Sequence, residues 1–418
     1  MDIEQDIVIV GAGISGLTAS LALHSYGLRS LVLESSECLR TTGYALTLWP
    51  NAWRALDAVG VGDHLRQNSV PFRGIQVGSV DTGFPTGELA FEQNKYGKHE
   101  CRRVRRKGLL EALEKELPQG TIWYSSKVVS IEESGHSKLV QLADGCVIRT
   151  KVVIGCDGVN SVVAKWLGLP TPISAGRSSI RGFAEYPAGH FFKPNFYIYF
   201  GGGVRFGFVP CDDKSINWFC NFNLSNATWH QNMSEEPVKL KAFVLSKIVN
   251  IPREVSDIVQ RTEVGSISCA ELKMRLPWDI LRRDIAKSSI CVAGDALHPM
   301  TPDLGQGGCS ALEDGVILAR CIGESFLKIP RKDVGDGKED VDPKVVAFKK
   351  GVENYAKERR WRSFSLIAAA YAIGFVQASE NKFICFLREK FLSMLTVAAV
   401  LKMADFDCGN LDIYRQFS

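Results

Sequence analysis

A glycine triplet set between a strand and a helix constrains this chain more than any other feature. The continuous apolar run in Asp6-Ile-Val-Ile-Val10 reads as a parallel strand covered on both faces. It runs straight into Gly11-Ala-Gly13-Ile-Ser-Gly16. Leu17 to Tyr26 then reads as a helix with Gly27 at its stop, and Leu31-Val-Leu33 as the next parallel strand. Alone, G-x-G-x-x-G is a weak signal. In this context each glycine has a distinct role. Gly11 permits the tight turn, Gly13 lets the backbone approach a pyrophosphate, and Gly16 lets helix and strand pack closely. Ile14 and Ser15 open the helix, whose positive end would meet the phosphates. Glu34 ends the second strand, where a carboxylate accepts hydrogen bonds from ribose hydroxyls. The expectation is a Rossmann-type dinucleotide site; the alternative is a purely structural glycine turn.

Bulk properties narrow the class without deciding it. A chain of 418 residues with 45% hydrophobic and 23% charged residues is an ordinary globular enzyme, with room for two domains or one large one with an insertion. Its net charge of +4 gives no reason to expect nucleic acid or an acidic membrane. One dense basic stretch, Arg102, Arg103, Arg105, Arg106 and Lys107, is short and mixed with apolar residues. The 12 cysteines form no C-x-x-C pair and no zinc-spaced cluster. Several, such as Cys146, Cys156, Cys220 and Cys291, sit in apolar segments and read as buried free thiols. With no signal-peptide core at the start, a cytoplasmic enzyme is expected, and the N-x-[ST] triplets at Asn223, Asn226 and Asn232 read as chance matches. No metal site is expected.

Further along, residues 106–117 read as an amphipathic helix and 122–155 as a strand meander turning at Asp144-Gly145. From about 175 to 275 the texture becomes aromatic and alternating, in Phe196–Phe200, Phe206–Val209 and Asn217–Asn223, which predicts an inserted, mostly antiparallel sheet. Ser289–Ala293 returns to a buried parallel strand, followed by a glycine-rich turn and a helix over 310–326. Lys328 to Lys344 reads as a solvated loop, and helices follow.

Two further motifs are specific. One is Gly294-Asp-Ala-Leu-His-Pro-Met-Thr-Pro-Asp-Leu-Gly-Gln-Gly-Gly308. The other is Gly155-Cys-Asp157-Gly158-Val-Asn-Ser161. With the first glycine motif they resemble, in order and spacing, the group A flavoprotein monooxygenases, the family of p-hydroxybenzoate and salicylate hydroxylases and zeaxanthin epoxidase. The texture is most similar to the plant salicylate-hydroxylase-like members, including a Tyr-x-x-x-Arg-x-x-Arg pattern at Tyr355, Arg359 and Arg362. The resemblance implies an α/β fold. A Rossmann-type FAD-binding domain with a parallel sheet would cover 1–174, and a substrate-binding, mostly antiparallel sheet 175–275. A return of the FAD domain would cover 276–330, and C-terminal helices 345–418.

It also implies residue roles. Asp295 would hold the flavin ribityl chain, with Pro302 beside the reactive flavin carbon. Gly305, Gln306, Gly307 and Gly308 would form the turn whose helix start stabilises negative charge on reduced flavin. Asp157 would touch FAD and a transient nicotinamide. The family's usual Arg three residues after Ser161 is replaced by Ala164. Arg106, in an R-x-x-L-x-x-x-L helix, would face the flavin; Arg40 and Val128 are further cofactor candidates. The implied chemistry is non-covalent FAD reduced by NAD(P)H, with O2 forming a flavin hydroperoxide that hydroxylates or epoxidises a small aromatic or unsaturated molecule.

No protein nucleophile is required. A base can assist a phenol, and His298 is placed to be considered, although a structural histidine is the plainer reading. Tyr197, Tyr199, Arg205, Phe208 and Trp218 are substrate candidates by location, with alternation setting Tyr197 and Tyr199 on one face of the sheet. The competing functions are a flavin oxidase or reductase without oxygen transfer, and a non-catalytic flavoprotein. The apolar stretches at Leu366–Val376, Phe383–Phe386 and Leu392–Leu401 alternate with charged residues and suit helices that cap the cavity rather than a membrane span. A dimer interface and contact with a membrane surface are the other uses; a monomer or homodimer is expected.

Overall fold

The computed structural model describes residues 3–40, 45–91, 100–223, 236–329, 342–378 and 400–411. Expectations for Thr41–Gly43, Asn226, Asn232, most of the 328–344 loop, and the apolar residues 383–386 and 392–399 fall outside these.

The first sheet is built on β1 (Ile3–Val10), which pairs in parallel with β11 (Val147–Gly155) on one side and β2 (Leu31–Leu33) on the other. The order runs β17 (Ala286–Lys287), β18 (Ile290–Val292), β11, β1, β2, β8 (Ile122–Trp123). A hairpin of β9 (Val128–Ser134) and β10 (Ser137–Leu142) is attached to β11. Ile7, Val8, Ile9 and Val10 are all buried because helices and the hairpin cover both faces, each such side chain contributing about 1.5–3 kcal/mol. α1 (Ile14–His24) and α9 (Gly307–Leu327) pack against each other on one face. The contact is close because Gly315 lies against Thr18 and Ala19 where a Cβ would not fit.

The second sheet has seven strands in the order β16 (Ser268–Met274), β12 (Ile173–Glu185), β15 (Ser215–Asn223), β14 (Val204–Asp212), β13 (Asn195–Gly201), β5 (Gly74–Ser79), β6 (Pro85–Ala90). It is antiparallel except for the β13–β5 pair. The expected boundary at 174/175 therefore needs correction: β5 and β6 come from the first stretch of chain and complete this sheet. Hairpin spacing alone cannot show such long-range pairing. The 175–275 stretch also holds two helices, α6 (Pro237–Lys247) and α7 (Arg253–Arg261), which cover the outer face. In α7, Val255, Ile258 and Val259 carry the helical repeat and are buried.

A three-stranded sheet of β3 (Ala45–Leu48), β7 (Arg102–Arg105) and β4 (Val70–Pro71) is drawn from the chain between β2 and β8, with β5 and β6 of the second sheet inserted between β4 and β7. Short helices α2 (Pro50–Ala58), α3 (Gly62–Gln67), α4 (Arg106–Lys115), α5 (Val162–Trp166) and α8 (Pro277–Arg282) fill the connections. The last long element, α10 (Pro343–Ala378), has 36 residues and runs about 54 Å at the standard rise. Its first residues, Pro343 and Lys344, are the last of the expected loop. Leu366, Ile367 and Ala370 are buried while Tyr371 and Phe375 are exposed. Among the described residues no helix is long and apolar enough to cross a membrane.

Candidate functional site

One cavity of about 1010 Å³ runs from the first glycine turn to the inner face of the second sheet. At one end it is lined by Gly13, Ile14 and Ser15. Gly11 has φ +103° and receives the Cys156 carbonyl so closely that a Cβ would collide; a Cβ at Gly16 would overlap the Gly11 carbonyl. Gly13 alone of the three faces open space, as a surface kept bare for a ligand would. Gly11 and Gly16 thus shape the turn from behind. Glu34 stands behind it too: its Oε2 accepts the Ala12 N–H at 3.0 Å, and Oε1 accepts the Ser36 N–H at 2.9 Å and Arg40 Nη2 at 3.2 Å. Burial pushes the Glu34 carboxyl up, but these N–H donors and Arg40 outweigh it and hold it below its ordinary value. Val128 is buried at the start of β9 opposite Leu142, outside the cavity lining.

The second motif forms the cavity floor. After β18, Gly294 takes φ +59° and Asp295 projects into the cavity. Pro302 begins a short turn, Gly305 takes φ +63°, and α9 starts at Gly307, so Pro302, Gly305, Gly307 and Gly308 all line the space. Gln306 turns the other way, its Oε1 accepting Asn51 Nδ2 at 2.8 Å. Asn51 also donates to Glu313 Oε1 at 2.6 Å. Behind the turn, Arg359 donates to Asp314 Oδ1 at 2.6 Å and Glu313 Oε2 at 2.8 Å, while Arg362 donates to Glu313 Oε1 at 2.7 Å. Tyr355 completes the C-terminal pattern by donating to the Val292 carbonyl at 3.1 Å. His298 is fully buried in this network, its Nε2 2.7 Å from Asp314 Oδ2, and does not line the cavity. That places it as a structural group.

Arg106 faces Asp295 across the cavity. Burial lowers its pKa, with the Asp295 charge pulling the other way. Its Nε is buried with no hydrogen-bond partner among the described residues. Nearby, Gly158 and Cys156 also line the space. Asp157 serves the local turn, its Oδ2 accepting the Val162 N–H at 2.7 Å, while Ser161 Oγ caps α5 by accepting the Ala164 N–H at 2.8 Å. Ala164, where the resemblance leads one to expect Arg, is buried in the apolar core.

The inner face of the second sheet closes the other end. Register sets its side chains in rows. One row is Ser179, Asn221, Arg205, Phe200 and Ser79; the next is Ser268, Arg181, Phe219, Gly207, Ile198 and Val77. Arg205 donates to Asp303 Oδ1 at 2.9 Å, and Arg177 grips the same carboxylate with bonds of 3.1 and 2.7 Å. Burial raises the Asp303 carboxyl, but the two guanidiniums win and hold it below its ordinary value.

This face corrects the expected substrate set. Arg205 lines the cavity. Tyr197, Tyr199, Phe208 and Trp218 do not: they point to the outer face, under α6 and α7. There Tyr197 stacks on Phe208 with ring centroids 4.4 Å apart, and Trp218 donates to Thr262 Oγ1 at 2.8 Å. Alternation paired the two tyrosines correctly, but both sides of this sheet are buried, so period two alone does not choose the cavity side. The residues that do line it, Phe196, Ile198, Phe219, Asn217 and Asn221, are their immediate neighbours. Arg103, Arg181 and Val376 were also missed; Arg103 lay in a short basic stretch mixed with apolar residues, which gives no sign of which arginine turns inward.

A dinucleotide suits what is present: a bare glycine cradle at a helix start, a carboxylate at Asp295, an unpaired Arg106 donor, and room beyond for a second molecule. Comparison with known proteins agrees. The FAD binding domain family matches residues 4–326. Monooxygenase 2 of Arabidopsis thaliana is 47% identical over 408 residues, 98% of each chain. Monooxygenase 1 of the same plant is 34% identical, over 98% of this chain and 100% of that one. Among solved structures, Klebsiella pneumoniae HpxO complexed with FAD and uric acid shares the fold with a TM-score of 0.80 at 21% identity, over 97% of this chain and 96% of that one. With that family match spanning most of its length and two near full-length monooxygenase relatives, the chain belongs to the FAD-binding-domain family of flavoprotein monooxygenases.

Proposed function

We propose that this FAD-dependent monooxygenase takes its electrons from NAD(P)H and hydroxylates or epoxidises a small organic molecule held between the flavin and the second sheet. For hydroxylation the balance is substrate–H, O2, NAD(P)H and H⁺ giving substrate–OH, H2O and NAD(P)⁺. The observation that carries the reading is the single cavity in which the glycine cradle, Asp295 and the Pro302–Gly308 turn share one space with the sheet's inner face.

FAD, when bound, accepts the hydride and delivers the electrons to oxygen. The chain's own residues do the rest. The α1 start and Gly13 receive the pyrophosphate. Asp295 accepts hydrogen bonds from the ribityl hydroxyls. Arg106 donates from its half-buried guanidinium toward the cofactor. Backbone N–H groups at the start of α9 stabilise negative charge on the reduced ring. The sheet orients the substrate and the apolar lining excludes water. Glu34, Asp157 and Gln306 act by holding the glycine turns in shape. The free thiols suit a reducing, cytoplasmic setting.

Three measurements on purified protein test this. Heat or acid should release FAD into the supernatant, as expected of a non-covalent cofactor. NAD(P)H should bleach the flavin under nitrogen. Readmitted oxygen should appear in product. If hydrogen peroxide accounts for all oxygen consumed across a broad aromatic panel, the oxidase reading replaces this one.

A further inference from the structure

The second half of α10 carries an aromatic row on the side turned away from the protein. Trp361, Phe364, Tyr371 and Phe375 recur at helical spacing, with Ala368 and Ala372 filling the same face. The residues on the opposite side, Arg359, Ser363, Leu366, Ala370 and Gly374, are all buried. From Trp361 to Phe375 the row covers about 21 Å at the standard rise.

α8 widens the row at one end. Arg360 Nη1 donates to the Ile280 and Arg283 carbonyls at 2.6 and 2.8 Å, which pins the end of α8 to α10. Trp278 of α8 then meets Phe364 with ring centroids 5.4 Å apart, and Trp361 meets the same ring edge-on at 5.6 Å. Even so, Trp278, Trp361, Tyr371 and Phe375 are each 47% to 65% exposed, and Leu276, which precedes α8, is exposed as well. Single exposed apolar side chains are ordinary, but a set aligned along one helix is what an interaction surface presents.

Its composition and its surroundings point to one occupant. Apart from Leu276 the large members are aromatic. Two are tryptophan and one is tyrosine, rings with an apolar body and a polar edge that settle at a lipid headgroup boundary. A seam between two copies of the helix would call for leucine and isoleucine at these positions instead. Arg282, Arg283 and Lys357 flank the Trp278–Trp361 end, all exposed and in no ion pair among the described residues. Arg360 adds a fourth cation. Of the nearby acids, Glu358 is paired with Arg320 at 2.6 Å. That leaves Asp279, Asp284 and, two turns further back, Glu353, so the flank stays positive. A whole-chain charge of +4 does not reveal such a local excess.

We propose that the α10 row and the Trp278 end of α8 form a docking surface for an anionic lipid bilayer, with the aromatic rings in the headgroup layer and Arg282, Arg283 and Lys357 at the lipid phosphates. The contact runs along the surface, since among the described residues no helix is long and apolar enough to cross. Val376, next to Phe375, lines the cavity, so the docked row ends at the wall of that space.

Flotation of the FAD-loaded protein with vesicles tests this, using phosphatidylcholine alone and phosphatidylcholine mixed with phosphatidylserine. The parent should float with the mixed vesicles and bind phosphatidylcholine alone roughly tenfold more weakly. Added salt should shrink that preference. Trp361→Ser combined with Phe375→Ser should weaken binding to the mixed vesicles roughly ten- to a hundredfold. Arg282→Gln combined with Arg283→Gln should remove most of the preference for phosphatidylserine. Flavin content and the urea midpoint should stay at the parent's values in both variants, because the replaced side chains are exposed. The parent's own lipid dependence decides even where a variant misfolds. A parent that floats with neither vesicle at low salt, binds both equally, or floats unchanged after the Trp361 and Phe375 replacements overturns the inference. So does a dimer in solution that those replacements dissolve, which would give the face to a second copy.

Discussion

Gly374, near the C-terminal end of α10, lies directly against the carboxylate of Asp303. A Cβ at Gly374 would overlap both that carboxylate and the Arg177 guanidinium. The C-terminal helix therefore seats on the ion pair next to Pro302, and Val376, two residues on, lines the cavity. Gly374→Ala should force helix and ion pair apart, at about 1–3 kcal/mol. Urea unfolding of the FAD-loaded protein would show it as a lower midpoint, accompanied by slower substrate-dependent turnover. Parent-like values for both would mean that α10 yields without cost.

Asp295 presents the opposite case, an exposed carboxylate facing the cavity rather than the core. Asp295→Ala should spare the fold and lose FAD. The loss of charge-assisted hydrogen bonds worth about 1.5–3 kcal/mol weakens flavin binding by roughly one to two orders of magnitude. Fluorescence titration of apoprotein with FAD reads this directly. An unchanged dissociation constant removes Asp295 from the ribityl site.

The two faces of the second sheet should separate stability from binding. Phe208→Ala removes a ring stacked on Tyr197 in the outer core and should cost about 3–5 kcal/mol of folding stability. Tyr197→Phe should leave ligand affinity at the parent value. Phe219→Ala should do the reverse, changing affinity for aromatic ligands with a smaller loss of stability, because its ring borders the cavity. Parallel effects from all three would refute the assignment of faces.

What the sequence made legible follows from how local each signal is. The β1–Gly11–α1 turn is written in consecutive residues, and Gly11, Gly13 and Gly16 each have the geometry their spacing implies. The Gly294–Gly308 segment is equally local, so Asp295, Pro302 and the α9 start could be found by reading. Glu34 was legible as a residue, but its contacts to Ala12 and Ser36 were not, because they depend on how two turns meet. The polar part of the cavity wall needed β7, β12 and β15 brought together, from Arg103, Arg181, Asn217 and Asn221. No window of sequence holds that arrangement, and Asn221 gives no sign in sequence that its amide will be buried without partners. The β5–β13 pairing was invisible for the same reason.

The buried network behind α9 sets a pH dependence. Burial raises the Glu313 and Asp314 carboxyls, but Arg359, helped by Arg362 at Glu313 and His298 at Asp314, reverses this and leaves both below their ordinary values of 4.5 and 3.8. Both carboxylates have a depressed folded-state pKa. The stability they contribute is therefore complete above those ordinary values and is lost as pH falls through the folded values. The urea midpoint should fall steadily once pH drops below about 4.5, where the unfolded chain takes up protons first. Glu313→Gln should lower stability at neutral pH by about 3–5 kcal/mol, because Arg359 and Arg362 lose a buried partner, and should flatten the acid slope. It should also weaken FAD binding, since Asn51 ties Glu313 to Gln306 at the turn that starts α9. An acid slope in Glu313→Gln equal to that of the parent would show that the pH dependence arises elsewhere in the chain.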